Sequence, residues 1–321
     1  MRAVTFAGTG GNDVVSLTDR PDPVPGSHEV VVAARYAGVN WADVAQRRGH
    51  YPPPPGAPQD IPGLEVAGTV VATGDAVRSW RAGDRVFGLV GGGGLADRVT
   101  VHERHVTAIP DGLAEDVAAA VPEAYMTAYD AVFSQAGLQM GEVLLVNGAN
   151  GAVGSAGVRL ALAAGATAVA CVRSPDSARA LAAEGAIVVT PDEATGRLAD
   201  LGGAEVILEL VGAPNLARDF AALATKGRIM VVGSDAGADA QVSLRALMGK
   251  RASLRGTVLR ARPLEEKAAA VQAFARSVVP VLAAGRALPD IDRVFPAEQV
   301  TAAFDHLAKP GKAGKILREF A

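Results

Sequence analysis

The chain has 321 residues, enough for about two domains, and 49% of them are hydrophobic while 20% are charged. A formal net charge of −3 and the absence of a Lys- and Arg-rich block argue against nucleic acid as the main partner. The single cysteine, Cys171, excludes a disulfide framework and a cysteine-rich zinc site within one chain. The first residues lack the apolar stretch of a signal peptide, so we expect a cytoplasmic protein.

Residues 1–119 contain short strand-like runs separated by turns that are rich in Gly and Pro. The chain opens on a strand-like MRAVTFAG, and further runs occupy 30–35, 65–72 and 85–89. This spacing predicts a compact antiparallel β domain. Gly91–Gly94 is interpreted as a hairpin turn, with a mobile rim of a pocket as the alternative.

Residues 143–174 combine an apolar strand, a glycine-rich turn, an alanine-rich helix and a second apolar strand, the order of a dinucleotide-binding βαβ unit. The first strand is wholly apolar, as expected for a strand buried on both faces of a parallel sheet. Gly148, Gly151 and Gly154 mark a turn where the backbone can approach a pyrophosphate at the start of a helix. Such turns also occur in proteins that bind no nucleotide, and the spacing departs from a strict G-x-G-x-x-G.

The second strand of this unit ends at Arg173 and Ser174, where an NAD site usually carries a carboxylate for the ribose. Because an arginine there accommodates a 2′-phosphate, this strand end favours NADPH. Arg173 alone is also compatible with a solvated charge at a strand end.

Strands alternate with alanine-rich helices from about residue 120 to residue 258, which predicts a parallel, doubly wound sheet. The predicted strands are 143–147, 168–172, 187–190, 205–210 and 228–233. After residue 259 come a helical stretch over 263–282, a strand-like IDRVFP, a helix through residue 307 and a strand-like AGKILREF. This ending indicates that the chain returns to the first domain.

Several blocks, in order along nearly the whole chain, resemble the quinone oxidoreductase branch of the medium-chain dehydrogenase/reductase superfamily. They are VNWADVAQRRGHYPPPPG (39–56), PGLEVAGTVVATGDAV, RAGDRVFGL, the 147–154 loop, GRIMVVG (227–233) and TVLRARPLEEK (257–267). The resemblance implies an α/β protein with a GroES-like, β-rich catalytic domain at 1–119 and 259–321. It also implies a Rossmann NADPH-binding domain at 120–258, a homodimer and a quinone substrate.

The zinc alcohol dehydrogenases of the same superfamily carry a zinc ligand in a G-H-E segment. Gly63 and Glu65 fit that frame here, but Leu64 replaces the histidine, and leucine cannot coordinate a metal. The resemblance also puts Asn40 where the zinc branch has a cysteine, and Glu123 near its third ligand. We therefore expect neither a catalytic nor a structural zinc.

Without a metal, the substrate has to stabilise the anion that hydride transfer produces. A quinone does so by becoming an aromatic hydroquinone anion, and an α,β-unsaturated carbonyl does nearly as well through an enolate. The leading hypothesis is an NADPH-dependent quinone reductase, and the alternative is an enone or enoyl-thioester reductase. A non-catalytic nucleotide- or RNA-binding protein is a third possibility, although the basic surface that RNA requires is missing.

The resemblance makes Asn40, Asp43 and Tyr51 the candidate catalytic residues. Asn40 would donate a hydrogen bond to a carbonyl oxygen, or would simply cap the helix that begins at Trp41. Asp43 is expected to pair with a basic residue in a structural role. Tyr51 would stack on a quinone, bind its oxygen or protonate an enolate, with an exposed loop tyrosine as the alternative. His50 is a weaker candidate for a proton donor.

For the cofactor, Tyr125 and Thr127 match a position on the nicotinamide side in relatives, with a hydroxyl at a helix N-terminus as the alternative for Thr127. Arg260 lies in a segment that passes near the nicotinamide in relatives, with an ordinary surface charge as the alternative. The implied cofactor-binding residues are Thr127, Asn150, Gly151, Ala152, Val153, Gly154, Arg173, Ser174, Val211, Gly212, Gly233, Ser234, Leu259 and Arg260.

The chain departs from the family at two places in this set. Relatives commonly hold the 2′-phosphate with a serine, a lysine and a tyrosine; Ser174 keeps the serine, but Ser177 and Pro191 stand near the other two positions. Arg173 is expected to take over with its planar donor fork. In the phosphate loop, Asn150 is expected to tolerate a positive φ.

Overall fold

The computed structural model describes residues 1–309 and 311–320, so residues 310 and 321 of the predicted 259–321 segment lie outside the described residues. The chain forms two compact units. The first contains residues 1–126, 259–285 and those from 289 onward, and the second contains residues 127–258 and 286–288. The first unit extends past residue 119, since the amide of Glu123 donates a hydrogen bond to Glu65 of that unit at 2.9 Å.

The N-terminal part of the chain is antiparallel β-structure with short helices. Its elements are β1 (Arg2–Phe6), β2 (Val15–Asp19), β3 (Glu29–Ala33), β4 (Tyr36–Val39), α1 (Trp41–Arg47), β5 (Glu65–Thr73), β6 (Arg85–Leu89), β7 (Arg98–His102), β8 (Val106–Ala108), α2 (Glu115–Ala119) and α3 (Pro122–Tyr129). Strands β1 and β2 form one sheet, and five strands form another in the order β7-β3-β5-β6-β8 with antiparallel pairing throughout.

The hairpin interpretation of Gly91–Gly94 is wrong, because β6 and β7 are not neighbours in this sheet. The segment is held instead by backbone hydrogen bonds from Gly93 to the carbonyl of Ile61 at 2.8 Å and from Leu95 to the carbonyl of Pro62 at 2.9 Å. Glycine and its turn chemistry identify a reversal of the chain, but they do not identify which strands pair on either side of it.

The second unit is a doubly wound parallel sheet, as predicted. Its elements are β9 (Val143–Asn147), α4 (Ala152–Ala163), β10 (Thr167–Cys171), α5 (Arg179–Ala183), β11 (Ile187–Val189), α6 (Pro191–Asp200), β12 (Ala204–Glu209), α7 (Leu216–Ala222), β13 (Leu223–Val231), α8 (Leu244–Lys250) and β14 (Ser253–Gly256). The strand order is β11-β10-β9-β12-β13-β14, with parallel pairing throughout. Numbered within the unit, this order is 3-2-1-4-5-6, the arrangement typical of dinucleotide-binding domains.

Strand β9 is buried on both faces, which explains its unbroken apolar sequence. Leu144 and Val146 pack in one apolar cluster with Val158 of α4. Val143 and Leu145 pack in a second cluster with Leu198 of α6. Helices on both faces thus fix β9 at the centre of the sheet, and the loop after it emerges at the carboxyl edge.

The apolar stretch over residues 152–170 divides into α4 and β10. Among the described residues, no helix combines the length and the apolar character that crossing a membrane would require.

The C-terminal part returns to the first unit, as predicted. Its elements are α9 (Leu264–Ser277), α10 (Val279–Ala283), β15 (Ile291–Pro296), α11 (Val300–Ala308) and β16 (Lys315–Glu319). Strand β16 pairs antiparallel with β4, with Ile316 opposite Val39, but β15 and β16 are parallel to each other. This parallel pair lies outside residues 1–119, for which an antiparallel β domain was predicted, and it arises because α11 is a crossover between β15 and β16.

Candidate active site

The glycine-rich turn of the second unit leaves the N-terminus of α4 open to an anion. Gly151 is the N-cap of this helix and has no side chain to cap it. The first N–H groups of a helix have no acceptor within the helix, so those of Ala152 and Val153 are available to a pyrophosphate. A Cβ on Gly154 would lie 2.8 Å from the Cα of Ala149, so only glycine permits this tight turn.

Asn150 does not use the positive φ that we expected it to tolerate. The left-handed residue of this loop is Gly148, with a φ of +79°, and among the described non-glycine residues only Lys226, Arg251 and Ala287 have a positive φ. The left-handed conformation in this loop is therefore taken by Gly148 and not by Asn150.

Arg173 and Ser174 follow β10 and are both exposed. The hydroxyl of Ser177 donates to the carbonyl of Ser174 at 2.7 Å. The next acid along the chain, Asp176, pairs with Arg179 at 2.8 Å. At this strand end Arg173 presents a positive charge, and the nearby carboxylate already has a cationic partner.

The loops that follow β12 and β13 pack against each other at the same carboxyl edge. A Cβ on Gly212, whose φ is +115°, would lie 2.8 Å from the Cα of Ser234, and the amide of Ala236 donates to the carbonyl of Val211 at 3.0 Å. Carboxyl ends of parallel strands are where open α/β sheets bind ligands. The predicted residues 150–154, 173–174, 211–212 and 233–234 thus all follow carboxyl ends of strands in this one sheet.

Two buried carboxyl groups lie beneath the 211–212 loop, and sequence reasoning missed them. Glu209 ends β12, and its carboxylate accepts hydrogen bonds from the amides of Val211 at 2.5 Å and Gly212 at 2.7 Å. The side-chain amide of Asn147 donates to Glu209 at 2.6 Å and to Asp219 at 2.8 Å. The only signal in the sequence was the acid that ends β12 after the apolar run Val206–Leu208.

Burial and the charge of Glu209 raise the pKa of Asp219 to about 8, against a smaller opposing effect of its hydrogen bond from Asn147 and of the charge on Arg218. Asp219 is 1% exposed, so it remains a neutral acid in the folded state at pH 7. Glu209 lies beside it and accepts hydrogen bonds from two backbone amides.

This pair predicts an alkaline loss of stability. Between the pKa of an unfolded aspartate, 3.8, and about pH 8, the Asp219 side chain is protonated in the folded protein and ionised in the unfolded chain. Folding therefore takes up a proton, and the free energy of unfolding falls as the pH rises through this range. Between pH 7 and 8.5 we expect a loss of about 1 kcal/mol in the free energy of unfolding. The pKa of Asp43, raised to about 6, and that of His105, lowered to about 4, lie below this window.

Urea unfolding followed by circular dichroism at several pH values measures this slope. Asp219→Asn should remove it, whereas Asp200→Asn, at the exposed end of α6, should keep it. An unchanged slope in Asp219→Asn would contradict the assignment.

In the first unit, Asn40 belongs to a buried ionic network. The ammonium of Lys315 lies 2.6 Å from Glu65 Oε1 and donates to Asn40 Oδ1 at 2.5 Å, and Asn40 Nδ2 donates to the same Glu65 oxygen at 2.8 Å. The Lys315 and Glu65 side chains are each 2% exposed. Leu64, the neighbour of Glu65 in the chain, is also buried.

This network engages the group that Asn40 was predicted to offer to a substrate. One amide hydrogen is directed to Glu65, and the amide nitrogen also lies 3.4 Å from the carbonyl of Gly38. Asn40 stands at the N-cap position of α1, as the alternative interpretation expects. Among the described residues, no three His, Cys, Asp or Glu side chains are arranged so that they could hold a metal ion.

Asp43 is bound by backbone amides, so the expected pairing with a basic residue was wrong. Its carboxylate accepts from the amide of Asn40 at 2.8 Å and from that of Gly63 at 2.9 Å. The third residue of a helix can reach back to the N-cap amide in this way. Complete burial raises the pKa of Asp43 to about 6, while the two amides and the charges of Arg260 and Lys315 act in the opposite direction.

Tyr51 and Arg260 lie in contact in the first unit. The Arg260 guanidinium is 5.0 Å from the centroid of the Tyr51 ring, and its Nη1 donates to the Tyr51 carbonyl at 2.8 Å. Arg260 is 4% exposed and the neighbouring Leu259 is also buried, so the interpretation of Arg260 as a surface charge was wrong. Tyr51 is half-buried, whereas His50 is exposed.

Thr127 lies near the C-terminal end of α3, so the alternative that made it a hydroxyl at a helix N-terminus was wrong. It is half-buried and belongs to the second unit, while Tyr125 is buried in the first. Its contact with the nicotinamide stays a prediction.

The chain is similar to known oxidoreductases over nearly its whole length. The family described as alcohol dehydrogenase GroES-like domain matches residues 26–111, and the family described as zinc-binding dehydrogenase matches residues 152–276. A quinone oxidoreductase from Lama guanicoe is 31% identical over 99% of this chain and 97% of its own length. These matches confirm the GroES-like and Rossmann-type domains.

Two solved structures extend the comparison. Quinone oxidoreductase of Pseudomonas syringae pv. Tomato DC3000 superposes with a TM-score of 0.85 at 25% identity over 99% of each chain. CurK enoyl reductase also has a TM-score of 0.85 at 25% identity, over 100% of this chain and 99% of that one.

Proposed function

Because the chain belongs to the quinone oxidoreductase branch of the medium-chain dehydrogenase/reductase superfamily, we propose that it is an NADPH-dependent reductase that transfers hydride to a quinone without a catalytic metal. The observation that carries this proposal is the Lys315–Glu65–Asn40 network. Its ammonium group binds Glu65 Oε1 and Asn40 Oδ1 in the segment that the resemblance aligns with the zinc ligands, next to a leucine that has no lone pair to offer.

The chemistry of this frame favours a substrate that stabilises its own negative charge. A zinc ion would hold an alkoxide oxygen during hydride transfer. A quinone needs no such help, because accepting hydride makes its ring an aromatic hydroquinone anion. The quinone then needs only one proton to complete the reduction.

The residues of the second unit fit a dinucleotide with a 2′-phosphate. The uncapped start of α4 can meet the pyrophosphate, and the exposed Arg173 and Ser174 can meet the 2′-phosphate. When bound, the nicotinamide supplies the hydride.

Tyr51 is the proposed proton donor. Among the described residues its hydroxyl has no hydrogen-bond partner, and burial raises the pKa of its phenol, so it stays protonated at neutral pH. Transfer of this proton to the hydroquinone oxyanion leaves a phenolate, which solvent water reprotonates. In the enone alternative, the same proton would go to an enolate.

A C=C reductase is the second candidate, and the similarity to CurK enoyl reductase favours it specifically. Both reactions use a hydride donor and one proton, so the substrate decides between them. Steady-state oxidation of NADPH with small quinones and, separately, with enones measures the difference. Absence of quinone turnover would contradict the leading proposal. Zinc analysis of the same preparation tests the claim that there is no catalytic metal, and it should find far less than one zinc per chain.

Tyr51→Phe is expected to lower kcat for quinone reduction about 100-fold, the lower end of what a general acid contributes. Tyr36→Phe is the matched control, since Tyr36 is a partly buried tyrosine of the same unit whose partner is Glu319. Equal kcat values for wild type and Tyr51→Phe would remove Tyr51 from the reaction.

We further propose a cytoplasmic homodimer. Cys171 is buried as a free thiol, as is usual in reducing compartments. Strand β14 is an edge of the six-stranded sheet, and the surface around it exposes Met248 (75%), Leu254 (37%) and Val258 (50%). An open, partly apolar edge strand can pair with a second copy; light scattering tests this state.

A further inference from the structure

Arg260 joins three separate segments of the first unit through one guanidinium group. Its Nε donates to the carbonyl of Gly91 at 2.8 Å, its Nη1 to the carbonyl of Tyr51 at 2.8 Å, and its Nη2 to the side-chain oxygen of Gln46. The planar fork of arginine suits this role, because its donors have a fixed relative orientation. The loop that carries Tyr51 is thereby attached to α1 and to the 91–94 segment.

The backbone of Arg260 is itself anchored. Lys267 of α9 is 6% exposed, and its ammonium donates to the Arg260 carbonyl at 2.9 Å. A buried ammonium is costly unless its hydrogen bonds are kept, so this contact holds the Arg260 backbone in place. The guanidinium therefore projects from a fixed point rather than from a freely moving loop.

Arg260 also acts electrostatically on the Tyr51 phenol. The guanidinium carbon lies 5.0 Å from the ring centroid, within the range of a cation–π contact. The charged groups that affect Tyr51 are Arg260, which lowers the pKa of the phenol, and Glu123, which raises it. Arg260 also interacts electrostatically with the Asp43 carboxylate, whose oxygens accept hydrogen bonds from two backbone amides.

We infer that Arg260 is a positioning residue that fixes the Tyr51 ring and stabilises the phenolate left when Tyr51 gives up its proton. This rests on the proposed function, in which Tyr51 protonates the reduced substrate. The O–H bond of Tyr51 breaks, a new O–H bond forms on the hydroquinone oxyanion, and the phenolate charge remains beside the guanidinium until water returns a proton. Arg260 changes neither its charge nor its bonds.

The experiment places a difluorotyrosine at position 51 and follows its ionisation by fluorine NMR, since this label ionises at lower pH than tyrosine. In Arg260→Met we expect its pKa to rise by about one unit, the effect of removing an adjacent opposite charge. In Arg260→Lys the charge remains, so the pKa should stay close to that of the parent. Arg104→Met is the control: Arg104 pairs with Glu265, a residue of the same helix as Lys267, and its loss should leave the pKa of the label at position 51 unchanged.

Equal pKa changes in Arg260→Met and Arg260→Lys would show that packing rather than charge is involved, and would overturn the inference. So would an unchanged pKa in Arg260→Met together with weaker NADPH binding, because that result would place Arg260 at the cofactor instead. If Arg260→Met does not fold, Arg260→Gln removes the same charge and is compared with Arg260→Lys.

Kinetics give a second readout. A pKa change of one unit corresponds to about ten-fold in phenolate stability, so kcat for quinone reduction should fall up to about ten-fold in Arg260→Met with KM for NADPH unchanged. The NMR titration requires no turnover. Failure of the wild type to reduce quinones would therefore contradict the proposed function and leave the Arg260–Tyr51 coupling to be decided by NMR.

Discussion

Lys315→Met is expected to lower the free energy of unfolding by ~3–5 kcal/mol, the usual cost of removing one member of a buried ion pair. The ammonium lies 2.6 Å from Glu65 and both side chains are 2% exposed, so the remaining carboxylate would have no solvent to replace its partner. Strand β4 covers the pair directly: a Cβ on Gly38 would lie 2.7 Å from Lys315 Cε. Among the described residues, the side-chain amide of Asn40 and the backbone amide of Glu123 would remain as its donors.

Urea unfolding followed by tryptophan fluorescence measures this loss, since both tryptophans, Trp41 and Trp80, belong to the first unit. Lys309→Met, at an exposed position, should stay within about 0.5 kcal/mol of the wild type. The double variant Glu65→Gln with Lys315→Met should recover most of the loss, because neither charge is then left unpaired. A double variant no more stable than Lys315→Met would show that the cost arises from packing and not from the charge.

Most strands of the second unit could be predicted from local sequence, but β13 begins at residue 223 instead of 228, and β14 is missing from the predicted strands because SLRG lacks an apolar run. The predicted strand 143–147 is the observed β9, and the predicted strands near 168, 187 and 205 begin within one residue of the observed ones. Parallel strands buried on both faces must be continuously apolar, so their ends are marked by the first glycine or polar residue. The prediction of a nucleotide-type sheet needed only this pattern and the glycine-rich turn.

The ionic network of the first unit could not be predicted in this way. Lys315 lies 275 positions from Asn40 along the chain. The two face each other because Ile316 stands opposite Val39 in the register of β16 and β4. AGKILREF identifies a strand, but its partner and register depend on tertiary packing, and a shift of one residue would have turned Lys315 to the other face.

Arg173→Asp is expected to weaken NADPH binding about 100-fold while changing NADH binding by only a few fold. The side chain is exposed just beyond β10, where a dinucleotide-binding sheet receives the adenosine ribose. A charge-assisted hydrogen bond contributes about 1.5–3 kcal/mol, and reversing the charge adds repulsion from the 2′-phosphate. A loss near 3 kcal/mol corresponds to about two powers of ten in Kd.

Fluorescence titration of the enzyme with each nucleotide gives both dissociation constants. Arg197→Asp is the control, because it makes the same change in net charge at an exposed position of α6. It should change the dissociation constants of NADPH and NADH slightly and by the same factor, which distinguishes a direct contact from the overall electrostatic field of the protein. Equal losses of NADPH and NADH in Arg173→Asp would remove Arg173 from the phosphate site. Arg173→Asp would also introduce a carboxylate two positions beyond the strand, where an NAD site usually carries one for the ribose. Any gain in NADH affinity in that variant would therefore support the same placement of the ribose from the opposite direction.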